Sequence, residues 1–175
     1  GNWYESEGMD YEQATAWYHK AATQGDSSAQ YSLGVCYFDG LGVAKDEKEA
    51  VNWFRMAAEQ GNVDAQCNLG DFYFNGLGVA PDETKAFEWY LKAAAQGDAC
   101  GQCGLGFYYS NGRGVNKDER QAAEWYRRAA EQGDADAQFR LGCCYDNGLG
   151  VERDEKEAAK WYLKAAEQAD PRAEF

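Results

Sequence analysis

Apolar and small residues recur along this chain with a period of 36 residues, and each period carries the spacing of two helices. In the first half of one period, Ala65, Leu69 and Tyr73 are four residues apart, which places them on one face of a helix. The second half carries small residues around an aromatic pair, namely Ala86, Trp89, Tyr90, Ala93 and Ala94. The pattern therefore predicts a helix-turn-helix unit that is repeated along the chain.

A fixed period of this length is typical of a solenoid, in which every unit buries its apolar face against its neighbours. We expect one all-α domain over residues 1–175, folded as a right-handed α/α superhelical solenoid. Its four complete units are 26–61, 62–97, 98–133 and 134–169. Residues 1–25 are predicted to be a flank followed by a lone second helix that begins at Asp10. Residues 170–175 either start a further unit or form a short cap.

The repeat also predicts where each second helix begins and where two helices pack closely together. Each second helix is expected to begin at a capping aspartate, that is at Asp46, Asp82, Asp118 and Asp154. An acid or amide three residues later, such as Glu49 after Asp46, predicts a capping box in three of these units. Glycine inside each first helix, as at Gly106, costs about 1 kcal/mol relative to alanine. We therefore expect a tryptophan of a neighbouring segment to pack closely over that glycine.

One motif accounts for most of the repeated residues. In the third unit it comprises Leu105, Gly106, Tyr109, Gly112, Gly114, Val115, Ala122, Trp125, Tyr126, Ala129 and Ala130. This motif, found over residues 10–175, resembles the Sel1-like repeat, which is related to the tetratricopeptide pattern and has a larger turn. The resemblance implies an α-solenoid adaptor that binds a protein or peptide segment in its concave groove and has no catalytic activity.

The resemblance also implies alternatives. Some cysteine-rich members of the family are credited with acting on β-lactams, so an enzyme acting on β-lactams or peptidoglycan fragments is a second hypothesis. A structural role in self-association through exposed solenoid ends is a third. The residues disfavour the enzyme, because the sole histidine, His19, lies at a variable position and no Ser-x-x-Lys motif is present. We expect no catalytic residue, no cofactor and no metal site.

The charge balance limits the kinds of partner. The chain has 30 acidic and 17 basic residues and a net charge of −13. Nucleic acids and anionic membranes are bound through basic surfaces, so this balance disfavours both. No run of about 18 apolar residues is present, and we expect no insertion into a membrane. A protein or peptide is the remaining class of partner.

Six cysteines raise the question of disulfides. Cys67 and Cys103 occupy one repeat position, and Cys36 and Cys144 occupy another. Equivalent residues on stacked helices lie about 8–10 Å apart, whereas a disulfide needs α-carbons within about 7 Å. We therefore expect free thiols, which favours a reducing compartment such as the cytoplasm. In some members of the family a disulfide joins the two helices of each repeat, at positions that here hold alanine and Gln30, Gln66, Gln102 and Gln138.

The candidate binding surface follows from comparing the units with one another. Four positions of the first helix vary between units and lie on one face. First helices line the concave side of two-helix solenoids, so we expect this face to contact the partner. The expected partner-binding residues are Asn68, Asp71, Asn75, Gly104, Phe107, Tyr108, Asn111, Arg140, Cys143 and Asn147.

Three kinds of side chain on this face suggest specific roles. Phe107 is the expected apolar anchor, and Arg140 is expected to hold a carboxylate of the partner. Asn75, Asn111 and Asn147 allow two interpretations. They form a ladder of amides that binds an extended peptide, or they end their helices in a left-handed conformation.

Overall fold

The computed structural model describes the backbone of residues 3–169 and the side chains of residues 11–168. The predicted restart of the repeat at 170–175 lies outside the described residues. Within 3–169 every regular element is an α-helix. The helices are α1 (Trp3–Ala22), α2 (Ser27–Asp39), α3 (Glu47–Glu59), α4 (Val63–Asn75), α5 (Glu83–Ala95), α6 (Ala99–Asn111), α7 (Glu119–Glu131), α8 (Ala135–Asn147) and α9 (Glu155–Ala169).

The helices form two compact halves, and the boundary between Trp89 and Tyr90 falls inside α5. In the first half, α1 packs against α2, α2 against α3 and α3 against α4. In the second half, α6 packs against α7, α7 against α8 and α8 against α9. Packing between consecutive helices is the arrangement of an all-α solenoid, so the predicted fold class is confirmed. No helix in the described part of the chain has the length and apolar character needed to cross a membrane.

The start of α1 differs from the prediction. The repeat register placed the beginning of this helix at Asp10, whereas α1 already begins at Trp3. In the complete units the equivalent aspartate follows a Gly-x-Gly-Val turn, which separates it from the helix before. No such turn precedes Asp10 in the sequence, and therefore nothing interrupts the helix there.

Each capping aspartate also joins the two helices of its unit. The Oδ1 atom of Asp46 accepts hydrogen bonds from the backbone N–H groups of Lys48 and Glu49, at 2.9 and 3.1 Å. The N–H group of Asp46 itself donates to the carbonyl of Tyr37 in α2, at 2.8 Å. The same bond recurs from Asp118 to the carbonyl of a first-helix tyrosine. The predicted caps are confirmed, but the capping box is wrong, because the N–H group that Glu49 was expected to bind is already used.

Acid is expected to weaken these caps. The pKa of Asp118 lies below its ordinary value of 3.8, because the backbone N–H and the side chain of Gln121 donate hydrogen bonds to the carboxylate. A lowered folded-state pKa means that this stabilisation is present above pH 3.8 and is lost as the pH falls below it. Asn caps a helix as well as Asp does but does not titrate. Thermal melts at pH 6 and pH 3 should therefore show a smaller loss of Tm for Asp118→Asn than for the wild type. Equal losses would contradict this role of the cap.

Glycines inside the first helices accept an aromatic ring from the second helix. A β-carbon on Gly106 would lie 2.6 Å from the ring of Tyr126, and one on Gly142 would lie 2.7 Å from the ring of Tyr162. The predicted close approach is confirmed. The predicted partner is wrong, because the ring belongs to the residue after the tryptophan and to the second helix of the same unit.

In two of the repeats, the turn between the two helices closely approaches the repeat before it. Gly150 has φ +72°, and a β-carbon there would collide with the carbonyl group of Glu119, the first residue of α7. Gly78 has φ +65° and meets the carbonyl of Glu47 at the start of α3 in the same way. Only glycine combines this backbone conformation with so close an approach. At these two turns the second glycine of the Gly-x-Gly-Val motif is therefore a contact between successive repeats.

Buried glutamines recur at one position of the first helices. Gln138 is 5% exposed, and its Nε2 atom donates to the carbonyl of Ala130 in α7, at 3.2 Å. Its Oε1 atom accepts a hydrogen bond from Nε2 of Gln168 in α9, at 2.8 Å. In the first unit Gln30 makes the same two kinds of bond, at 3.1 and 2.7 Å. Each of these side chains thus joins three successive helices through hydrogen bonds.

The cysteines do not all carry free thiols. Cys36, Cys103, Cys143 and Cys144 are free. Cys67 and Cys100 are disulfide-bonded, so the expectation of free thiols is wrong for these two residues. The register argument compared only cysteines at equivalent repeat positions, and no other unit has a cysteine at the position of Cys100. The preference for a reducing compartment loses this support.

Candidate functional site

In the second half of the chain, the variable faces of α6 and α8 meet through an arginine and an aromatic ring. Phe107 on α6 is half-buried. The guanidinium carbon of Arg140 on α8 lies 5.3 Å from the centre of the Phe107 ring and 5.9 Å from that of Tyr126 on α7. Guanidinium groups at this distance from a ring are attracted to it. We call the surface made by Phe107, Asn111, Arg140, Cys143 and Asn147 the α6–α8 face.

Arg140 has a partner within its own helix. Its Nε atom lies 2.6 Å from Oδ2 of Asp136, and its side chain is 36% exposed. Partial burial lowers the pKa of Arg140, but the hydrogen bond to Asp136 and nearby groups outweigh it, so the net shift is upward. Arg140 is therefore a charged group that is held in place by a carboxylate of its own helix.

Cys103 lies beneath this pair and is not a reactive thiol. Its Sγ atom lies 3.4 Å from Oδ2 of Asp136. Burial raises the pKa of the Cys103 thiol, and the charges of Asp134 and Asp136 raise it further. A nucleophilic cysteine needs a lowered pKa, which positive surroundings provide. Cys103 stays protonated at neutral pH and donates to Asp136.

A serine near the face has a tyrosine as its neighbour. The Oγ atom of Ser110 lies 3.2 Å from the hydroxyl of Tyr126. Burial raises the pKa of Tyr126 to about 12, so the phenol is neutral at pH 7 and is a poor general base for the serine. His19 is exposed and packs edge-on against the ring of Trp53, with 5.9 Å between ring centres. These environments do not activate a nucleophile, which disfavours the hydrolase alternative.

The three asparagines do not end their helices in a left-handed conformation. Among the described residues, every positive φ angle belongs to a glycine, and the left-handed residue is the one that follows each asparagine. The Nδ2 atom of each donates to the carbonyl four residues earlier, at 2.9 Å for Asn75, 2.8 Å for Asn111 and 2.9 Å for Asn147. All three side chains are exposed. The amides are therefore oriented by their own helices, and the ladder interpretation stays a prediction.

Other predicted residues fall in different environments. Tyr108 is fully buried, so it belongs to the core and cannot contact a partner, contrary to the expectation. Gly104 provides no open space, because a β-carbon there would lie 2.7 Å from the ring of Tyr90. Cys143 is half-buried and its Sγ atom accepts a hydrogen bond from the hydroxyl of Tyr162, at 3.4 Å. Only Cys143 of these three predicted residues stays on the α6–α8 face.

In the first half of the chain, α4 carries the equivalent predicted residues. Asn68 and Asp71 are half-buried and Asn75 is exposed. The carbonyl of Asp71 accepts the bond from Asn75. These residues share one side of α4, as the helical spacing predicted.

One residue beside the α6–α8 face was missed in the sequence. Arg113, in the turn after α6, has its guanidinium carbon 5.4 Å from the centre of the Phe107 ring. The comparison between units covered the first helix and stopped before this turn. The signal was present, because the other complete units carry leucine at this position, at Leu41, Leu77 and Leu149.

Comparisons with known proteins agree with the repeat pattern. The model of the Sel1 repeat family matches residues 6–26, 27–62, 63–98, 101–134 and 135–170. No curated protein matches the chain. A protective antigen of uropathogenic Escherichia coli strains, which displays an SLR fold, is 44% identical over 94% of this chain, with a TM-score of 0.83.

Two further solved structures are similar. A Sel1 repeat protein from Oxalobacter formigenes is 38% identical over 93% of this chain, with a TM-score of 0.86. Cysteine rich protein B of Helicobacter pylori is 30% identical over 74% of this chain and 92% of its own, with a TM-score of 0.56. The chain spans 35% of the length of the Escherichia coli protein and 64% of that of the Oxalobacter protein.

Proposed function

Because the chain belongs to the Sel1 repeat family, we propose that it binds a protein or peptide segment on the α6–α8 face and has no catalytic role. Members of this family are generally scaffolds for protein interactions. Such a function needs a surface whose residues differ between repeats while the backbone stays the same. The second half of the chain has both the repeated helices and a variable surface on them.

The observation that carries the proposal is the environment of Phe107. Its half-buried ring contacts Arg140, which is fixed by Asp136 at 2.6 Å. Aromatic and arginine side chains held in a defined position are the residues that contribute most to binding at protein interfaces. Asn111 and Asn147 add exposed amides on the same face. Fixed side chains also lose little conformational entropy when a partner binds.

Some of the remaining predicted residues belong to the proposed binding surface and others do not. Cys143 adds a half-buried thiol to the α6–α8 face. We also propose that a partner contacts α4, in the first half of the chain, through Asn68, Asp71 and Asn75. Tyr108 and Gly104 are left out, because one is buried and the other is covered by Tyr90.

Removing the two central side chains is expected to weaken partner binding at least tenfold without unfolding the protein. The double variant Phe107→Ala/Arg140→Ala deletes the ring and the guanidinium group that contacts it. We expect it to retain at least tenfold less partner than the wild type, because central interface residues each contribute about 1–2 kcal/mol or more. The measurement is affinity capture from a native lysate, quantified by mass spectrometry.

A matched control separates this surface from any other. Phe139→Ala/Arg128→Ala removes the same two residue types from exposed sites, since Phe139 is 53% exposed and Arg128 lies over the Trp125 ring on α7. We expect the control to capture partners as the wild type does. Equal capture by the wild type and the Phe107→Ala/Arg140→Ala variant, with unchanged helical circular dichroism, would refute the proposed surface.

A further inference from the structure

In the first half of the chain, α1 and α2 border an open groove with a volume of about 340 Å³. Aromatic and apolar side chains provide most of its lining, among them Tyr11, Ala14, Tyr18, Tyr31, Val35 and Leu41. Thr15 on α1 is 4% exposed and donates a hydrogen bond to the carbonyl of Leu41, at 2.9 Å. This bond holds the turn after α2 against α1 and fixes the shape of the groove. We call this surface the α1–α2 groove.

The ring of Tyr18 is open because no first helix covers it. In the complete units the equivalent ring packs against a glycine of the first helix, as that of Tyr126 does against Gly106. Tyr126 is 3% exposed, whereas Tyr18 is 38% exposed. In the described part of the chain no helix precedes α1. Tyr18 therefore presents to solvent an aromatic surface that the complete units bury.

Tyr11 adds a second ring that the repeat does not require. The four complete units all have glutamate at this position, namely Glu47, Glu83, Glu119 and Glu155. Tyr11 is 46% exposed, so its ring contributes little to the core. Together with Tyr18 and Tyr31 it brings three tyrosine rings to one groove.

Two carboxylates lie beside these tyrosines. Asp39 comes one helical turn after Val35 on the same side of α2. Asp64 on α4 is close to Tyr31, because burial raises the pKa of that phenol and the charge of Asp64 raises it further, while a hydrogen bond with Asn68 lowers it. Both aspartates are exposed, and neither forms an ion pair within the described part of the chain. The groove therefore combines aromatic rings with negative charges that have no cation beside them.

The first half of the chain also carries most of the net negative charge. Residues 1–89 include 15 acidic and 5 basic residues, whereas the remainder of the chain includes 15 and 12. Lys20 and Lys45, the lysines nearest in sequence to the groove, lie over the rings of Trp17 and Phe38. A positively charged partner is therefore attracted more strongly to the first half than to the second.

We propose that the α1–α2 groove binds a basic protein segment, with an arginine side chain seated among the three tyrosine rings and its charge paired with Asp64. The faces of the rings attract a guanidinium group, and Ala14 and Val35 contact its aliphatic stem. A second basic residue of the segment reaches Asp39. Arginine fits better than lysine, because its planar group stacks on aromatic rings and donates two hydrogen bonds to one carboxylate.

The test measures binding of fluorescein-labelled peptides to the full chain by fluorescence anisotropy. The probe is a twelve-residue Gly/Ser peptide that carries two arginines, and in its matched control citrulline replaces both, which keeps the shape and removes the charge. We expect the arginine peptide to bind with a dissociation constant below about 1 mM, and the citrulline peptide to bind about tenfold more weakly. Raising NaCl from about 50 to about 300 mM should weaken binding of the arginine peptide alone, because salt screens exposed charges.

Two variants locate the bound peptide. Tyr11→Leu/Tyr18→Leu keeps apolar side chains but removes two rings, and we expect it to bind the arginine peptide about fivefold more weakly. Asp64→Asn removes one charge and should weaken binding about threefold. Their controls are Trp17→Leu, which removes a 68% exposed ring of α1 that does not line the groove, and Glu88→Gln, which removes a charge from an exposed residue of α5. Both controls should bind as the wild type does, and helical circular dichroism should be the same for all variants.

Four outcomes would overturn the inference. Equal binding of the arginine and citrulline peptides would show that no cation is recognised, and no binding up to about 1 mM protein would show that the groove is not a site for arginine. Binding that Tyr11→Leu/Tyr18→Leu leaves unchanged would place the arginine elsewhere. A dimer in sedimentation velocity that this variant loses would show that a second copy covers the groove. None of these results depends on Phe107 or Arg140, so the function proposed for the α6–α8 face is tested separately.

Discussion

Replacing Gly150 by alanine is expected to lower the free energy of unfolding by about 3–4 kcal/mol. The left-handed conformation at φ +72° disfavours any residue with a β-carbon by about 1–2 kcal/mol. The new methyl group would also collide with the carbonyl of Glu119, and overpacking of this kind costs about 1–3 kcal/mol. The collision is with backbone, so no change of side-chain rotamer can relieve it. Urea denaturation followed by circular dichroism measures the loss.

Gly133→Ala is the matched control for this prediction. Gly133 has φ +100°, and a β-carbon there would meet nothing within 4 Å. We expect it to lose only the conformational part, about 1–2 kcal/mol. A Gly150→Ala variant no less stable than Gly133→Ala would mean that the turn does not support the contact between successive units.

The second large effect concerns the buried glutamines. Gln138→Met keeps the length of the side chain but removes its hydrogen bonds to Ala130 and Gln168. The carbonyl of Ala130 keeps the hydrogen bond from the N–H group of Gly133, at 3.1 Å, so the variant loses two side-chain hydrogen bonds, each of which contributes about 1 kcal/mol. We expect a loss of about 2 kcal/mol in the free energy of unfolding, measured by urea denaturation.

Gln168→Met is the comparison for this variant. Gln168 is exposed and also donates to the carbonyl of Gly133, at 2.8 Å, so water can replace its partners. We expect it to cost less than about 1 kcal/mol, and the double variant to cost less than the sum of the two, because the residues share a bond. Fully additive effects, or a Gln138→Met variant as stable as the wild type, would show that the glutamines do not connect the helices energetically.

The fold could be predicted because its causes are local and repeated. Apolar residues at helical spacing, an aspartate cap such as Asp46 and a glycine after each first helix all recur in register. The capping box failed because its competitor, the carbonyl of Tyr37, comes from another helix. The early start of α1 at Trp3 was missed because the register supplied a cap at Asp10 but no turn before it.

The candidate site could be predicted only in part. Helical spacing indicated that Phe107 and Arg140 share a surface, and they lie 5.3 Å apart, from guanidinium carbon to ring centre. It could not indicate that Asp136 holds Arg140, because that pairing depends on rotamers. It could not separate the buried Tyr108 from its half-buried neighbours either, because the register compares positions and not burial. Arg113 required a comparison of turns as well as helices.

The most direct test of a binding function on the α6–α8 face is side-chain footprinting with a photochemically generated carbene. The protein is labelled alone and with its captured partner, and the modified residues are located by mass spectrometry. The account predicts that the partner reduces labelling around Phe107, Asn111 and Arg140, while Trp125 and Arg128 on α7 are labelled as before. Protection confined to α7 and α9, with unchanged labelling at Phe107 and Arg140, would contradict it.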